Sequence, residues 1–115
     1  LFVPNQNRLF PKADFRLGSG FLESARTWGF GSRSDYARLL IESCARIVIG
    51  IPKNSIDVFR ESTKSSRQRC RYDGALGYRT HLTKKGAGFR LMLWKQANGT
   101  IEFANVGDKD ELVIL

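Results

Sequence analysis

The chain is poor in the residues that most chemistries need. It has one histidine, two cysteines and one methionine among 115 residues. Neither Cys44 nor Cys70 belongs to a Cys-x-x-Cys pair, and neither clusters with His81, so the pattern excludes a zinc site and calls for no metal or other cofactor. Cys44 lies in an apolar helical pattern and reads as a small core residue. Cys70, inside RQRCRY, has flanking cations that favour its thiolate. A reducing, cytoplasmic setting fits this usage; a Cys44–Cys70 disulfide is the alternative. Long apolar runs are missing too. The longest falls well short of the ~20 residues a membrane helix needs, which argues against a membrane partner. No apolar segment near the N-terminus reads as a secretory signal, and the first residue is Leu1, so a native start is expected to be missing. There is no internal repeat, low-complexity tract, nucleotide-binding glycine loop, Ser-His-Asp set or carboxylate pair.

Acids are also scarce: eleven, against nineteen lysines and arginines, for a net charge of +8. A basic domain of this size usually meets a polyanion. Ten cations fall between Arg60 and Lys95: Arg60, Lys64, Arg67, Arg69, Arg71, Arg79, Lys84, Lys85, Arg90 and Lys95. Only Glu61 and Asp73 oppose them. The tail has the opposite sign, with Glu102, Asp108, Asp110 and Glu111 against Lys109. Such concentration suits a phosphate-binding surface, with Arg67, Arg69 and Arg71 as backbone contacts. A merely solubilising surface charge is the plainer alternative. The hydrophobic fraction, 42%, is that of a globular chain, and the length suits one domain over residues 1–115.

The first part, residues 1–17, is broken by Pro4 and Pro11 and reads as an extended segment or arm. Residues 20–62 read as helical. FLESARTWGF suits two turns with Ser19 as N-cap, ended by Gly29 and Gly31. SRSDYARLLIESCARIVIG is the clearest helix. Ser34 is placed to cap it, Asp35 suits its positive end, and Ala37, Leu40, Ile41, Cys44, Ala45 and Val48 form the apolar face. Gly50 and Pro52 stop it. NSIDVFRES reads as a third short helix, and TKSSRQRCRYDG as a mobile basic loop. From residue 77 to 115 the period becomes strand-like. Strands are expected over residues 78–82, 88–96 and 100–106, with Asn98-Gly99 as a hairpin turn and LVIL as a short final strand. Helices followed by antiparallel strands make an α+β fold, with two to three helices on a sheet of three to four strands.

Strand parity places Arg79 and His81 on one face and Tyr78, Thr80 and Leu82 on the other. Phe89, Leu91 and Leu93 face one way; Arg90, Met92 and Trp94 the other. One face suits the helices. The other presents Arg79, His81 and Arg90, with Lys84 and Lys85 at the hairpin tip. Solvated charge on an open face is one reading of that pattern. RNA contact is the other. Cleaving RNA without a metal needs a base for the 2′-hydroxyl, cations for the phosphorane charge and an acid for the leaving oxygen. A histidine among cations tends to stay neutral, which suits a base, and arginine suits a phosphate clamp.

GYRTHLTKKGAGFRLMLWKQANGTIEFANVGDKDEL resembles the C-terminal half of the RelE/ParE-type bacterial toxins. The shared landmarks are a basic strand, a second strand opening Gly88-Phe89-Arg90-Leu91, a polar turn, and a third strand ending Val106-Gly107 before Asp108-Lys109. The resemblance covers about the last forty residues; the helices match only in kind. It implies a messenger RNA endonuclease acting on the ribosome, without a cofactor, neutralised by an acidic antitoxin protein. By position, Arg79 and His81 occupy the basic-strand sites, Arg90 the phosphate-clamp site, and Lys109 lies near a site usually held by arginine. One departure stands out. Many endonucleolytic members carry a tyrosine shortly after the Val-Gly turn, where this chain has Leu112 and Val113. The gyrase-poisoning members share the fold without the catalytic set.

ADFRLGSGFLESARTWGFGSRSDYARLLIESC also resembles a ribbon-helix-helix DNA-binding unit. That resemblance makes Arg16 a base-contacting candidate and Ser34 a cap facing a phosphate. It leaves residues 51–115 without a role.

Overall fold

The computed structural model describes residues 10–62, 64–83 and 88–115. In chain order these form β1 (Phe15–Leu17), α1 (Phe21–Thr27), α2 (Ser34–Val48), β2 (Ile56–Val58), β3 (Leu76–His81), β4 (Arg90–Lys95) and β5 (Ile101–Gly107). The α+β class is as expected. The sheet is larger, with five strands in the order β1-β5-β4-β3-β2. It is mixed rather than antiparallel, because the N-terminal segment returns as an edge strand parallel to β5. Gly18 donates its N–H to Phe103 O at 2.8 Å and Ile101 donates to Asp14 O at 3.0 Å, closing that ladder.

NSIDVFRES is not a helix. It is a strand, β2, with Ile56 buried and Asp57 and Val58 exposed at the sheet edge, and it pairs antiparallel with β3 through Ile56–Thr80, Asp57–Arg79 and Val58–Tyr78. Asn54, at the expected start of that helix, donates its side-chain amide to His81 O at 2.9 Å. The basic stretch after β2 folds back on itself. Arg69 N donates to Phe59 O, Arg71 N to Ala75 O and Gly77 N to Arg69 O. LVIL forms no strand. It runs across the sheet, held by Asn105, which donates to Val113 O and accepts from Leu115 N, each at 3.0 Å.

Both expected caps move by one residue. Gly20 precedes α1, and Arg33 precedes α2 with extended backbone; neither makes a side-chain capping bond. Gly50 closes α2. Its φ of +84° belongs to the left-handed region, and a Cβ there would come within 2.8 Å of Lys12 N, so glycine is required on both counts.

One sheet face carries the core. Tyr78, Leu91, Leu93, Phe103 and Val106 pack against Phe21 and Ala25 of α1 and Leu40 and Ile47 of α2. Parity in β3 and β4 is as read from the sequence. The face of α2 is not. Leu40, Ser43 and Ile47 are its buried residues, whereas Ile41 is 68% exposed. The apolar arc of α2 is wider than one contact can cover, so its second half borders β1 in a groove lined by Phe15, Leu17, Ile41, Cys44 and Ile49. No helix among the described residues is long and apolar enough to cross a membrane.

Candidate nucleic-acid interface

The second sheet face is not an open charged plane. Its centre is covered: Met92 is 1% and Trp94 5% exposed. Ile114 of the C-terminal segment packs on Trp94, Ala75 and Ala104, and Glu111 lies over Gly107. A classical strand alternation would not place both Ala104 and Asn105 here; a register shift between Met92 and Leu93 does so.

Polar side chains collect at one end of that face. In the β3–β4 ladder His81 stands directly opposite Arg90, and Arg79 opposite Met92. Arg79 also stands opposite Asp57 of the edge strand β2. All three of Arg79, His81 and Arg90 are half-buried. Arg90 is steadied by a 3.0 Å bond from its Nη1 to Gly88 O. Lys109 approaches the same place from the turn after β5: its Cβ lies 3.4 Å from where a side chain on Gly88 would begin. The structure therefore gathers Arg79, His81, Arg90 and Lys109 at one corner. Lys84 and Lys85 lie outside the described residues.

The other cations divide. The Arg69 guanidinium lies 4.5 Å from the Phe59 ring centre, with Arg79 at 5.2 Å from the same ring. Arg69 also donates to Arg60 O and Glu61 O. Arg67 is exposed, 3.9 Å from Glu61. Arg71 is engaged elsewhere. It bonds Asp73 at 2.9 Å and the buried Glu102 at 3.0 Å, and covers the Trp94 ring. These carboxylates raise the Arg71 pKa, and the guanidinium in turn holds Asp73 down at about 2. Glu102 also takes Arg16, at 3.0 Å.

The ion pairs thus lie away from the corner, where Asp57 stands opposite Arg79 without pairing with it. Among the described residues Arg79, Arg90 and Lys109 form no ion pair, while Arg16, Arg33, Lys53, Arg67 and Arg71 all do. Burial, then the nearby Arg90 charge, pulls the Arg79 pKa below its ordinary value, with Asp57 opposing. Its guanidinium still carries its proton at neutral pH. Half-buried like charges set side by side are costly unless an anion joins them. Such a corner is suited to hold a phosphate and stabilise added negative charge on it. Among the described residues, no three His, Cys, Asp or Glu side chains gather as a metal site would require.

Asp57, Phe59 and Arg60 border this corner and escape a reading that makes their segment a helix. No family model, no curated protein and no solved structure matches the chain.

Proposed function

We propose that the protein is a RelE-like toxin of a toxin–antitoxin pair, an endoribonuclease that cleaves messenger RNA on the ribosome and arrests translation. The observation that carries this reading is the cationic corner, in which His81 faces Arg90 across the β3–β4 ladder with Arg79 and Lys109 beside them, and whose arginines and lysine form no ion pair among the described residues. In this mechanism the His81 imidazole takes the proton of the 2′-hydroxyl, and the oxygen attacks the adjacent phosphorus. Arg90 and Arg79 hold the phosphate oxygens as charge builds on them. The 5′-oxygen leaves with a proton, and the products carry a 2′,3′-cyclic phosphate and a 5′-hydroxyl. Leu112 has no hydroxyl to share the proton transfers, so His81 bears them. Lys84, Lys85, Lys109, Arg67 and Arg69 supply contacts to the RNA backbone; Arg71, already held by two carboxylates, supplies less.

An acidic antitoxin is the proposed protein partner, seated over the cationic corner. The apolar groove along β1 and α2 offers such a partner an anchor, since Phe15, Leu17, Ile41 and Ile49 are exposed there. The ribbon-helix-helix reading has less support: Arg16 is held by Glu102, and β1 is already paired with β5. Induction in bacteria with primer extension on messenger RNA tests the proposal. Translation arrest with mapped cuts is the expected result. DNA-damage signalling without cuts would point to gyrase poisoning, and the absence of both effects would remove the toxin reading.

A further inference from the structure

Next to the cationic corner, at the free edge of the sheet, lies a pocket of about 500 Å³. Its walls include Asp57, Phe59, Arg60, Ser62, Arg79 and Leu112. The volume falls in the ~300–1,000 Å³ range of small-ligand sites. Strand alternation puts Asp57 and Phe59 on the same face as Arg79, and the register puts Asp57 directly across the ladder from Arg79, whose charge it opposes. Phe59 is 2% exposed. It serves as a base plate, with the Arg79 and Arg69 guanidiniums held over its ring.

Asp57 is the unexpected member. A carboxylate repels phosphate, so a surface made only for the RNA backbone has no use for one. Among the described residues the Asp57 side chain forms no hydrogen bond and no ion pair, and it is exposed. Two acceptor oxygens beside a cationic platform match one chemical partner well. Guanine alone among the RNA bases presents two adjacent N–H donors, N1–H and N2–H, on its Watson–Crick edge. Adenine and cytosine pair one donor with a ring-nitrogen acceptor that a carboxylate would repel, and uracil flanks its one donor with two acceptors. Single-stranded bases are read in this way, stacked on aromatic or guanidinium planes and bonded along that edge.

We propose that this pocket takes one unstacked guanine of the bound RNA, its N1–H and N2–H donated to Asp57, its ring against the Arg79 guanidinium, and Arg60 on a flanking phosphate. The inference rests on the RNA-binding reading of the neighbouring corner and adds a base preference to it. The test uses the full chain and single-stranded uridine oligomers that carry guanine, inosine, adenine or cytosine at one central position. Guanine is expected to bind tighter than the others by on the order of tenfold. Inosine, lacking the 2-amino group, should fall between. Asp57→Asn should abolish the ratio between guanine and the other bases, while the oligomers still bind with strong salt dependence. Equal affinity for all oligomers, or a guanine preference that survives Asp57→Asn, would overturn the proposal but leave the RNA reading standing. A uniform gain in affinity in Asp57→Asn would overturn it too, since Asp57 would then only balance Arg79. No salt-dependent binding of any oligomer would overturn both readings together.

Discussion

His81 and Arg90 face each other across one rung of a ladder, yet their proposed roles leave different mutational marks. Removing a general acid–base group typically costs ~10²–10⁴-fold in rate. Removing one electrostatic donor costs ~10²–10³-fold. Both His81→Ala and Arg90→Ala should therefore stop RNA cleavage in single-turnover assays while RNA is still bound. Lys109→Ala, at the exposed rim, should mainly weaken binding and lower the salt slope by about one. A His81→Ala protein that cuts as fast as the parent would make the histidine a bystander. The cysteines give an independent residue-scale check on the burial of α2. Burial pushes the Cys44 thiol up to about 12. Cys70 is exposed. A thiol reagent at pH 8 should modify Cys70 quickly and the half-buried Cys44 far more slowly; two equally fast thiols would contradict the packing of α2.

At the scale of elements, β1 and the segment after β2 are tied to the sheet by one buried carboxylate. Glu102 bridges Arg16 of β1 and Arg71, and both guanidiniums lie at 3.0 Å. Arg71→Ala leaves the buried Glu102 with the exposed Arg16 alone, so it should cost about 1.5–3 kcal/mol in denaturant unfolding. The Asp73 pKa, depressed to about 2, adds a pH signature. The stability it contributes is complete above its unfolded value, near 3.8, and is lost as pH falls toward about 2. Arg71→Ala should remove that part of the acid slope. Gly50→Ala should cost about 1–2 kcal/mol from the left-handed backbone alone, and more if Lys12 must move.

How far these elements could be read in advance depended on how local their causes were. The parity of β3 and β4 was legible because a period of two fixes both faces without knowledge of any partner. It put Arg79, His81 and Arg90 together correctly. β2 was misread because Asn54 and Ser55 look like a helix start, whereas pairing with β3 decides the matter. The parallel pairing of β1 with β5 joins residues over eighty positions apart, and no local pattern announces it. Asp57 and Phe59 were missed because their place in the site follows from the pairing of β2 with β3. The wide apolar arc of α2 was visible, but not which half the sheet would take.

At the scale of the molecule, a charge of +8 is unevenly cancelled. Acids pair with cations around α2, β1 and the Arg71 segment, and form no ion pair with Arg79 or Arg90 among the described residues. RNA affinity should therefore fall steeply with salt, by orders of magnitude between about 50 and 200 mM if several phosphates are held. Flat affinity over that range would remove the basis for a polyanion partner. The most direct measurement is cleavage of end-labelled messenger RNA by purified protein on programmed ribosomes, with the product ends identified. Fragments ending in 2′,3′-cyclic phosphate and beginning with 5′-hydroxyl are expected from the parent, and none from His81→Ala or Arg90→Ala. Intact RNA with the parent protein, or the same cuts from His81→Ala, would contradict a nuclease built on this corner.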